Sequence, residues 1–405
     1  MSDRLTLLQN FPFRRLNALL EGIEPAQQPL FLQIGEPQDA VPDMVAPAVA
    51  ANATLFGKYP PANGAPSYQD AVARWIEARY HLKQGAIDAP SQVTALCGTR
   101  EGLFQAALMA ILRKKDRMGV PGSAPVVLVP NPMYHVYFGG AVVGEAEAVL
   151  VDCTAKNDFV PDYESLDRET LDRTAICYLC TPGNPTGTVT QKDTLARMLG
   201  LAQKHDFVLA LDECYSEIWY DGPPPGGFDL IADGLPVNNL IVFNSLSKRS
   251  GSPGLRCGFA AGDPALIDPM NMLRSYGGAQ VPGPLMAAGE ALWRDEDHAK
   301  ANRERYHDLV TIADDTLGGI PGYRTPKAGF FLWLDTTRTL GDGETAARRL
   351  WAEAGVKVLP GRYMARPDPE TGTSPGDGYV RIALVHDRNT VRNALTRMRN
   401  VLESA

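Results

Sequence analysis

Short apolar runs alternate along the chain with longer stretches in which apolar residues recur at helical spacing. The near-continuous apolar character of the short runs predicts strands that are covered on both faces. The predicted strands are Gln92–Leu96, Val126–Pro130, Val149–Asp152, Thr174–Cys180, Phe207–Asp212, Leu240–Asn244 and Cys257–Ala261. Helices are predicted between them, for example over Glu101–Leu112 and Leu195–Lys204. This alternation indicates a doubly wound α/β fold with a mostly parallel sheet.

The pattern changes after about residue 280, which predicts a second, smaller α+β domain. Its predicted elements are a long polar helix at Asp295–Leu317, short strands at Gly329–Leu334 and Val356–Leu359, and a last helix at Asn389–Glu403. A loop rich in Pro and Gly, Arg366–Gly378, interrupts this part and is interpreted as a surface excursion. A length of 405 residues accommodates two such domains.

Charge and composition exclude several classes of partner. The formal net charge is −8, so the chain lacks the basic surface that binding to nucleic acid or to an anionic membrane requires. No apolar run approaches the ~20 residues of a membrane helix, and the N-terminus does not resemble a secretory signal, so a cytoplasmic location is expected. The six cysteines are scattered, and Cys177-x-x-Cys180 lies in a predicted strand, which favours core thiols over a metal or redox site.

Polar residues at the ends of the predicted strands are the candidates for a binding site, since ligands of open α/β sheets bind there. Gly98-Thr99-Arg100 follows the first strand and precedes a helix, an arrangement that can hold a phosphate on free backbone N–H groups. An ordinary strand-to-helix turn is the alternative. The chain has neither a Walker A sequence nor a G-x-G-x-x-G after a strand, which argues against the familiar ATP and NAD sites.

Two further strand ends carry charged residues. Asp212 ends an apolar strand and requires a partner, and a cation is favoured because the six histidines show no metal-site spacing; no metal is expected. Ser245, Ser247 and Lys248 end another strand, and Arg256 follows eight residues later. Hydroxyls and a guanidinium can bind a phosphate while the amine faces a carbonyl compound. A solvated surface lysine is the alternative for Lys248.

These residues carry a family resemblance. The pattern Ser245-x-Ser247-Lys248-x7-Arg256-x-Gly258, with Asn184-Pro185-Thr186-Gly187 and Asp212-x-x-Tyr215, resembles the signature of the fold-type I (class I/II) aminotransferases. The resemblance extends from Gly35 to Arg381 in the family's order. It implies an aspartate aminotransferase-like fold and pyridoxal 5′-phosphate (PLP) as the cofactor.

The resemblance implies catalytic roles for Lys248, Asp212 and Tyr215. Lys248 would bond to the cofactor and move a proton between the substrate Cα and the cofactor C4′, while Asp212 would hold the proton of the ring nitrogen. Tyr215 and Asn184 would bind the O3′ oxygen of the cofactor, and Tyr134 would stack on its ring. The positions that match the phosphate site are Gly98, Thr99, Arg100, Ser245, Ser247 and Arg256.

The resemblance also implies substrate contacts and a partner subunit. Arg381 and Asn184 would bind the substrate, with the arginine on its α-carboxylate and Gly35 alongside. Tyr59 would reach the phosphate in the neighbouring subunit of a homodimer. Because the substrate residues lie near both ends of the chain, the predicted domains are a large PLP-binding domain, 45–282, and a small domain built from 1–44 and 283–405.

Three segments point to a substrate. Asp212–Tyr220, Ser247–Arg256 and Val358–Tyr363 are similar to the succinyldiaminopimelate aminotransferases of lysine biosynthesis. The implied reaction exchanges an amino group between glutamate/2-oxoglutarate and N-succinyl-LL-2,6-diaminopimelate/N-succinyl-2-amino-6-oxopimelate. The candidates for contact with the distal carboxylates are Arg14, Arg15 and Arg249.

Other functions fit the same motifs. An aspartate or aromatic aminotransferase, or a PLP-dependent β-lyase, would use the same cofactor residues and differ only in its substrate contacts. The effector domain of a transcription regulator is less favoured, because it would require an appended basic helix-turn-helix region for which the chain shows no room.

Overall fold

The computed structural model describes residues 3–8, 11–118 and 124–404, so residues 1, 2, 9, 10 and 405 of the predicted small domain lie outside the described residues. Its strands in chain order are β1 Leu30–Phe31, β2 Val93–Leu96, β3 Val126–Asn131, β4 Glu147–Asp152, β5 Thr174–Cys180, β6 Val208–Asp212, β7 Leu240–Ser245, β8 Gly258–Gly262, β9 Phe331–Asp335, β10 Val356–Lys357, β11 Leu359–Pro360 and β12 Tyr379–Ala383. Every strand predicted in the first part of the chain is present, with ends that shift by one or two residues.

Seven of these strands, within the described residues, form one sheet in the order β2-β8-β7-β6-β5-β3-β4. The strand β8 runs antiparallel to both of its neighbours, and every other adjacent pair is parallel. The doubly wound, mostly parallel sheet of the aspartate aminotransferase-like fold is thereby confirmed.

The helices surround this sheet and the smaller ones. In chain order they are α1 Asp3–Thr6, α2 Pro12–Leu19, α3 Val45–Ala51, α4 Pro66–Arg79, α5 Ala89–Gln92, α6 Thr99–Met118, α7 His135–Val143, α8 Arg168–Arg173, α9 Lys192–His205, α10 Gly227–Ala232, α11 Leu246–Arg249, α12 Pro264–Gly277, α13 Gly283–Arg294, α14 Asp297–Leu317, α15 Gly343–Ala354 and α16 Arg388–Glu403. Short 3₁₀ turns lie at Ala53–Gly57, Ala155–Asn157, Tyr163–Ser165, Pro253–Leu255 and Gly361–Tyr363. In the part of the chain that the structure describes, no helix is long and apolar enough to span a membrane.

The large sheet is buried on both faces, which explains its unbroken apolar strands. In β6, Leu209 and Leu211 pack into a core with α4, α9 and α13, while Val208 and Ala210 pack on the other face with α6, α7 and α12. Successive side chains of a strand point to opposite faces, so a strand covered on both sides is apolar at every position.

The C-terminal part of the chain has its own core. Strands β11, β12 and β9 form an antiparallel sheet against α14, α15 and α16. The strand β1 pairs with β10, so the N-terminal part of the chain joins this region. The division into domains at 45–282 and at 1–44 with 283–405 stays a prediction.

The strand directions bring the predicted motifs together. The strands β2, β3, β5, β6 and β7 all run the same way, so the residues after their carboxyl ends meet at one edge of the sheet. The strand β8 runs the other way and begins at this edge, which also places Arg256, two residues before it, there.

Candidate active site

A cavity of about 840 Å³ lies at this edge of the sheet. Its lining includes most of the predicted site residues, namely Gly35, Thr99, Arg100, Tyr134, Asn184, Asp212, Tyr215, Ser245, Ser247, Lys248, Arg256 and Arg381. Of the residues predicted to bind the cofactor or the α-carboxylate, two are not in the lining. Gly98 is buried beneath Arg256, and Tyr59 lies on the surface with 99% of its area exposed.

Lys248 lies in the short helix α11, which follows β7 directly. Its Nζ donates a hydrogen bond to the carbonyl oxygen of Gly35 and lies 5.3 Å from the ring centroid of Phe330. Burial lowers the pKa of Lys248 to about 8, because the ammonium form loses hydration. A substantial fraction of the amine is therefore neutral slightly above neutral pH, as a nucleophile or a base requires.

Backbone and side-chain donors form a cradle for an anion beside the lysine. Helix α6 begins at Thr99, so the free N–H groups of its first turn lie at the sheet edge. Arg256 has left-handed backbone geometry (φ 56°), and its guanidinium donates to the carbonyl oxygens of Cys97 (3.0 Å) and Pro253 (2.8 Å). Gly98 has φ 75°, and a Cβ there would collide with that guanidinium.

The thiol of Cys214, which was not predicted as a site residue, also contacts this anion cradle. The Sγ of Cys214 lies 3.1 Å from the Thr99 hydroxyl and 3.8 Å from the Ser245 hydroxyl. Its position two residues after Asp212 was the only signal that the sequence offered.

Asp212 is a buried carboxylate at the end of β6. Its Oδ2 accepts a 2.8 Å hydrogen bond from the hydroxyl of Tyr137, and its Oδ1 accepts one from the backbone N–H of Cys214 (3.3 Å). Burial raises its pKa, and among the described residues it forms no ion pair with a lysine or arginine. The cation that the sequence predicts for Asp212 is thus not supplied by a protein side chain in the described residues.

Tyr137 is the second residue that sequence reasoning missed. Its ring stacks on Tyr178 with the centroids 4.4 Å apart and an angle of 10° between the planes. The Tyr178 hydroxyl in turn donates to the carbonyl oxygen of Leu103 in α6 (2.6 Å). The stack fixes the hydroxyl that faces Asp212. In the sequence, Tyr137 lies three residues after Tyr134, the residue before α7, and this spacing is only weak evidence that both side chains face the same site.

Tyr134 and Arg100 form a pair on the wall of the cavity. The Nε of Arg100 donates to the hydroxyl of Tyr134 (2.7 Å), and the Tyr134 ring lies edge-on to Tyr137 at 5.7 Å. Part of the donor capacity of Arg100 is thus directed at Tyr134.

Arg381 lies on β12 with its side chain buried. Its Nη1 donates to Oδ1 of Asn184 (3.0 Å), and its Nη2 donates to the carbonyl oxygen of Gln33 (2.9 Å). Its guanidinium packs over Phe331 at 4.3 Å, and the same ring leaves no room for a Cβ on Gly35. The Nε has no hydrogen-bond partner in the described part of the chain, and burial lowers the pKa of Arg381 to about 10. A buried arginine without a carboxylate is suited to an anionic ligand.

One of the predicted distal contacts, Arg249, is wrong. The Arg249 side chain is 0% exposed and lies between Trp75 and Trp293, where it donates to the carbonyl oxygen of Leu292 (2.8 Å). It supports the turn after Lys248 and does not reach the cavity. Arg14 is exposed and lies outside the cavity lining, whereas Arg15 is part of that lining.

Comparison with known proteins identifies the family. Residues 28–398 match the family described as aminotransferase class I and II. The chain is 30% identical to LL-diaminopimelate aminotransferase of Desulforudis audaxviator over 99% of this chain and 97% of that protein. It is 31% identical to the 4-dedimethylamino-4-oxo-anhydrotetracycline transaminase of Streptomyces rimosus, over 91% and 92% of the two chains.

A solved structure agrees with these matches. The aminotransferase of Neisseria meningitidis Z2491 superposes with a TM-score of 0.91 and 36% identity, covering 99% of this chain and 100% of that chain. The chain belongs to the class I and II aminotransferases, the PLP-dependent enzymes that transfer amino groups between amino acids and 2-oxo acids.

Proposed function

We propose that this enzyme exchanges an amino group between glutamate/2-oxoglutarate and an amino acid of the diaminopimelate class. The observation that carries the chemistry is that Lys248, Asp212 and Arg381 line one cavity. The relatives named LL-diaminopimelate aminotransferases support the substrate class.

The residues at the site fit PLP. Asp212 is a buried carboxylate that no cation among the described side chains pairs, and a protonated ring nitrogen would supply one. The first turn of α6, Ser245, Ser247 and the Arg256 guanidinium offer the donors that a phosphate requires. Lys248 offers a partly neutral amine for the aldehyde carbon.

Each residue then has a task. Bound PLP supplies an electron sink for the electrons left when the substrate Cα loses its proton. The partly neutral Nζ of Lys248 would take that proton and hold it for return to the opposite side of the new bond. Asp212 would hold the proton of the ring nitrogen, Asn184 and Tyr215 would hold the O3′ oxygen, and Tyr134 would pack on the ring.

Arg381 would orient the substrate by binding its α-carboxylate through the guanidinium fork. The contacts from Gln33 and Asn184 hold this fork in place before substrate arrives, so little conformational entropy is lost on binding. Gly35 leaves room beside the carboxylate.

Two exposed aromatic residues indicate how two copies of the chain could assemble. Tyr59 is exposed, Phe56 three residues before it is 62% exposed, and neither belongs to the cavity of its own chain. We therefore propose a homodimer in which Tyr59 reaches the phosphate of the neighbouring subunit. The small domain, 1–44 with 283–405, is proposed to carry Arg381 over the substrate.

Within the diaminopimelate class, we propose the N-succinyl form as the substrate. The described cavity lining contains five arginines and Lys248, against two carboxylates, Glu36 and Asp212. Succinylation removes the distal ammonium charge and adds a carboxylate. A cation-rich cavity therefore favours N-succinyl-LL-2,6-diaminopimelate over free LL-2,6-diaminopimelate.

A panel of amino donors tests this function. The purified enzyme is mixed with N-succinyl-LL-2,6-diaminopimelate, LL-2,6-diaminopimelate, aspartate or phenylalanine, and kcat/KM is measured with 2-oxoglutarate as acceptor. We expect the highest value for the succinylated donor. A higher value for aspartate or phenylalanine would overturn the substrate class, and a higher value for LL-2,6-diaminopimelate would overturn only the N-succinyl form.

A further inference from the structure

Arg366 is the first residue of the loop that the sequence predicts to be a surface excursion, yet it lines the active-site cavity. Its backbone N–H donates to Oδ1 of Asn131 (2.9 Å), and its carbonyl oxygen accepts from Nδ2 of the same side chain (3.0 Å). Asn131 ends β3 and also donates to Asp152 (2.8 Å). The backbone of Arg366 is thus attached to the rigid sheet.

The guanidinium of Arg366 is also held in one orientation. It lies over the ring of Phe138, with its carbon 3.5 Å from the ring centroid, and its Nη2 donates to the carbonyl oxygen of Leu7 (2.6 Å). Stacking on an aromatic face and one backbone hydrogen bond restrict the side chain but do not neutralise it. The result is a preorganised cation in the cavity wall.

Among the side chains that the structure describes, those of residues 5–8, 11–118 and 124–404, none that is acidic forms an ion pair with Arg366. Burial lowers its pKa, as expected for a charge that has lost water without gaining a counter-ion. The neighbouring arginines differ in this respect. Arg15 has Glu344 at 4.0 Å, and Arg362, in the 3₁₀ turn Gly361–Tyr363, donates to Asp377 at 2.9 Å.

A half-buried arginine without a counter-ion beside a substrate cavity is suited to an anionic ligand group. Arg100, Arg256 and Arg381 line the same cavity and likewise form no ion pair with a described acidic side chain. Arg100 is bonded to Tyr134 and Arg256 belongs to the anion cradle, so Arg366 and Arg381 are the two guanidiniums left for the substrate. The cavity lining also includes apolar side chains, namely Leu7, Leu8, Phe11, Phe13, Phe138 and Met364.

We propose that Arg366 binds a carboxylate at the end of the substrate opposite the α-carboxylate, and so selects amino acids with a long chain that ends in a second carboxylate. This assignment rests on the proposed amino-transfer function. It does not require the substrate to be a diaminopimelate, because 2-aminopimelate offers the same two carboxylates.

Two donors of equal chain length test the proposal in the holoenzyme. 2-Aminopimelate carries the distal carboxylate, and 2-aminoheptanoate ends in a methyl group instead. For Arg366→Met we expect kcat/KM for 2-aminopimelate to fall about 10- to 100-fold, mainly through KM, and kcat/KM for 2-aminoheptanoate to stay unchanged. Arg324→Met is the matched control, since that exposed arginine also stacks on an aromatic ring (Phe159, 4.5 Å) but lies outside the cavity lining.

Each result decides the proposal. Equal losses for both donors, or no selective loss for 2-aminopimelate, would overturn it, and so would a wild-type enzyme that does not prefer 2-aminopimelate. If Arg366→Met does not fold, Arg366→Lys keeps a charge that cannot form the same fork, and a partial loss confined to 2-aminopimelate is then expected. A wild-type enzyme that uses 2-aminopimelate through Arg366 but neither diaminopimelate would overturn the proposed substrate and leave this assignment supported.

Discussion

Replacing Lys248 with Met should stabilise the cofactor-free protein near neutral pH. The pKa of this amine falls from an ordinary value of 10.5 to about 8, because burial removes water from the ammonium. At about 1.36 kcal/mol per pKa unit, this difference lowers the free energy of unfolding of the wild type by about 3 kcal/mol below pH 8. The Lys248→Met variant also lacks the hydrogen bond to the Gly35 carbonyl oxygen, which costs about 1 kcal/mol. We therefore expect the free energy of unfolding to rise by about 2 kcal/mol in the variant.

The gain should depend on pH with a definite sign. Below about pH 8 the amine is protonated in both the folded and the unfolded chain, so the destabilisation is fully present. Between about pH 8 and 10.5 the folded protein has released this proton and the unfolded chain has not, so wild-type stability rises relative to the variant. Above that range the advantage of Lys248→Met should disappear.

Urea unfolding of the cofactor-free protein, at one protein concentration and several pH values, measures this difference. Lys204→Met, at an exposed lysine in α9, is the matched control and should change the free energy of unfolding by less than about 0.5 kcal/mol. Two results would show that the buried ammonium does not destabilise the fold. One is a Lys248→Met variant that is less stable than wild type at pH 7. The other is a difference in free energy of unfolding between the two proteins that does not change between pH 7 and 10.5.

Three other predictions concern the cofactor. Gly98→Ala should weaken PLP binding at least about tenfold, measured by cofactor titration, because its φ of 75° is strained for alanine. Tyr137→Phe removes the hydrogen bond to Asp212, worth about 1.5–3 kcal/mol, and should lower kcat about tenfold or more with the fold unchanged by circular dichroism. Mixing inactive Tyr59→Ala and Lys248→Ala proteins should restore partial activity, and no restoration would contradict the shared active site.

The large sheet could be predicted because the middle positions of its strands are almost all apolar. Such runs mark strands that are covered on both faces, and their polar last residues, such as Asp212, mark the edge where ligands bind. The strand β1, Leu30–Phe31, could not be predicted in this way, because two residues carry no period and the strand exists through its pairing with β10.

The parts of the site that come from motifs were predictable, whereas those that come from tertiary packing were not. Arg249 next to Lys248 looks like a substrate residue in the sequence, but Trp75 and Trp293 bury it from distant parts of the chain. Tyr137 looks like an ordinary core residue of α7, and only the fold brings its hydroxyl to Asp212. These contacts depend on which elements become neighbours, and no local pattern records that.

Amino transfer in this cavity depends on the Lys248 amine. Wild type and Lys248→Ala, both saturated with PLP, are compared in a single turnover with glutamate. The visible absorbance of the bound cofactor and the 2-oxoglutarate released are followed. We expect wild type to convert the bound cofactor and release about one equivalent of 2-oxoglutarate per site, and Lys248→Ala to be at least about 1,000-fold slower. Conversion by Lys248→Ala at a rate close to wild type would show that amino transfer does not depend on the Lys248 amine.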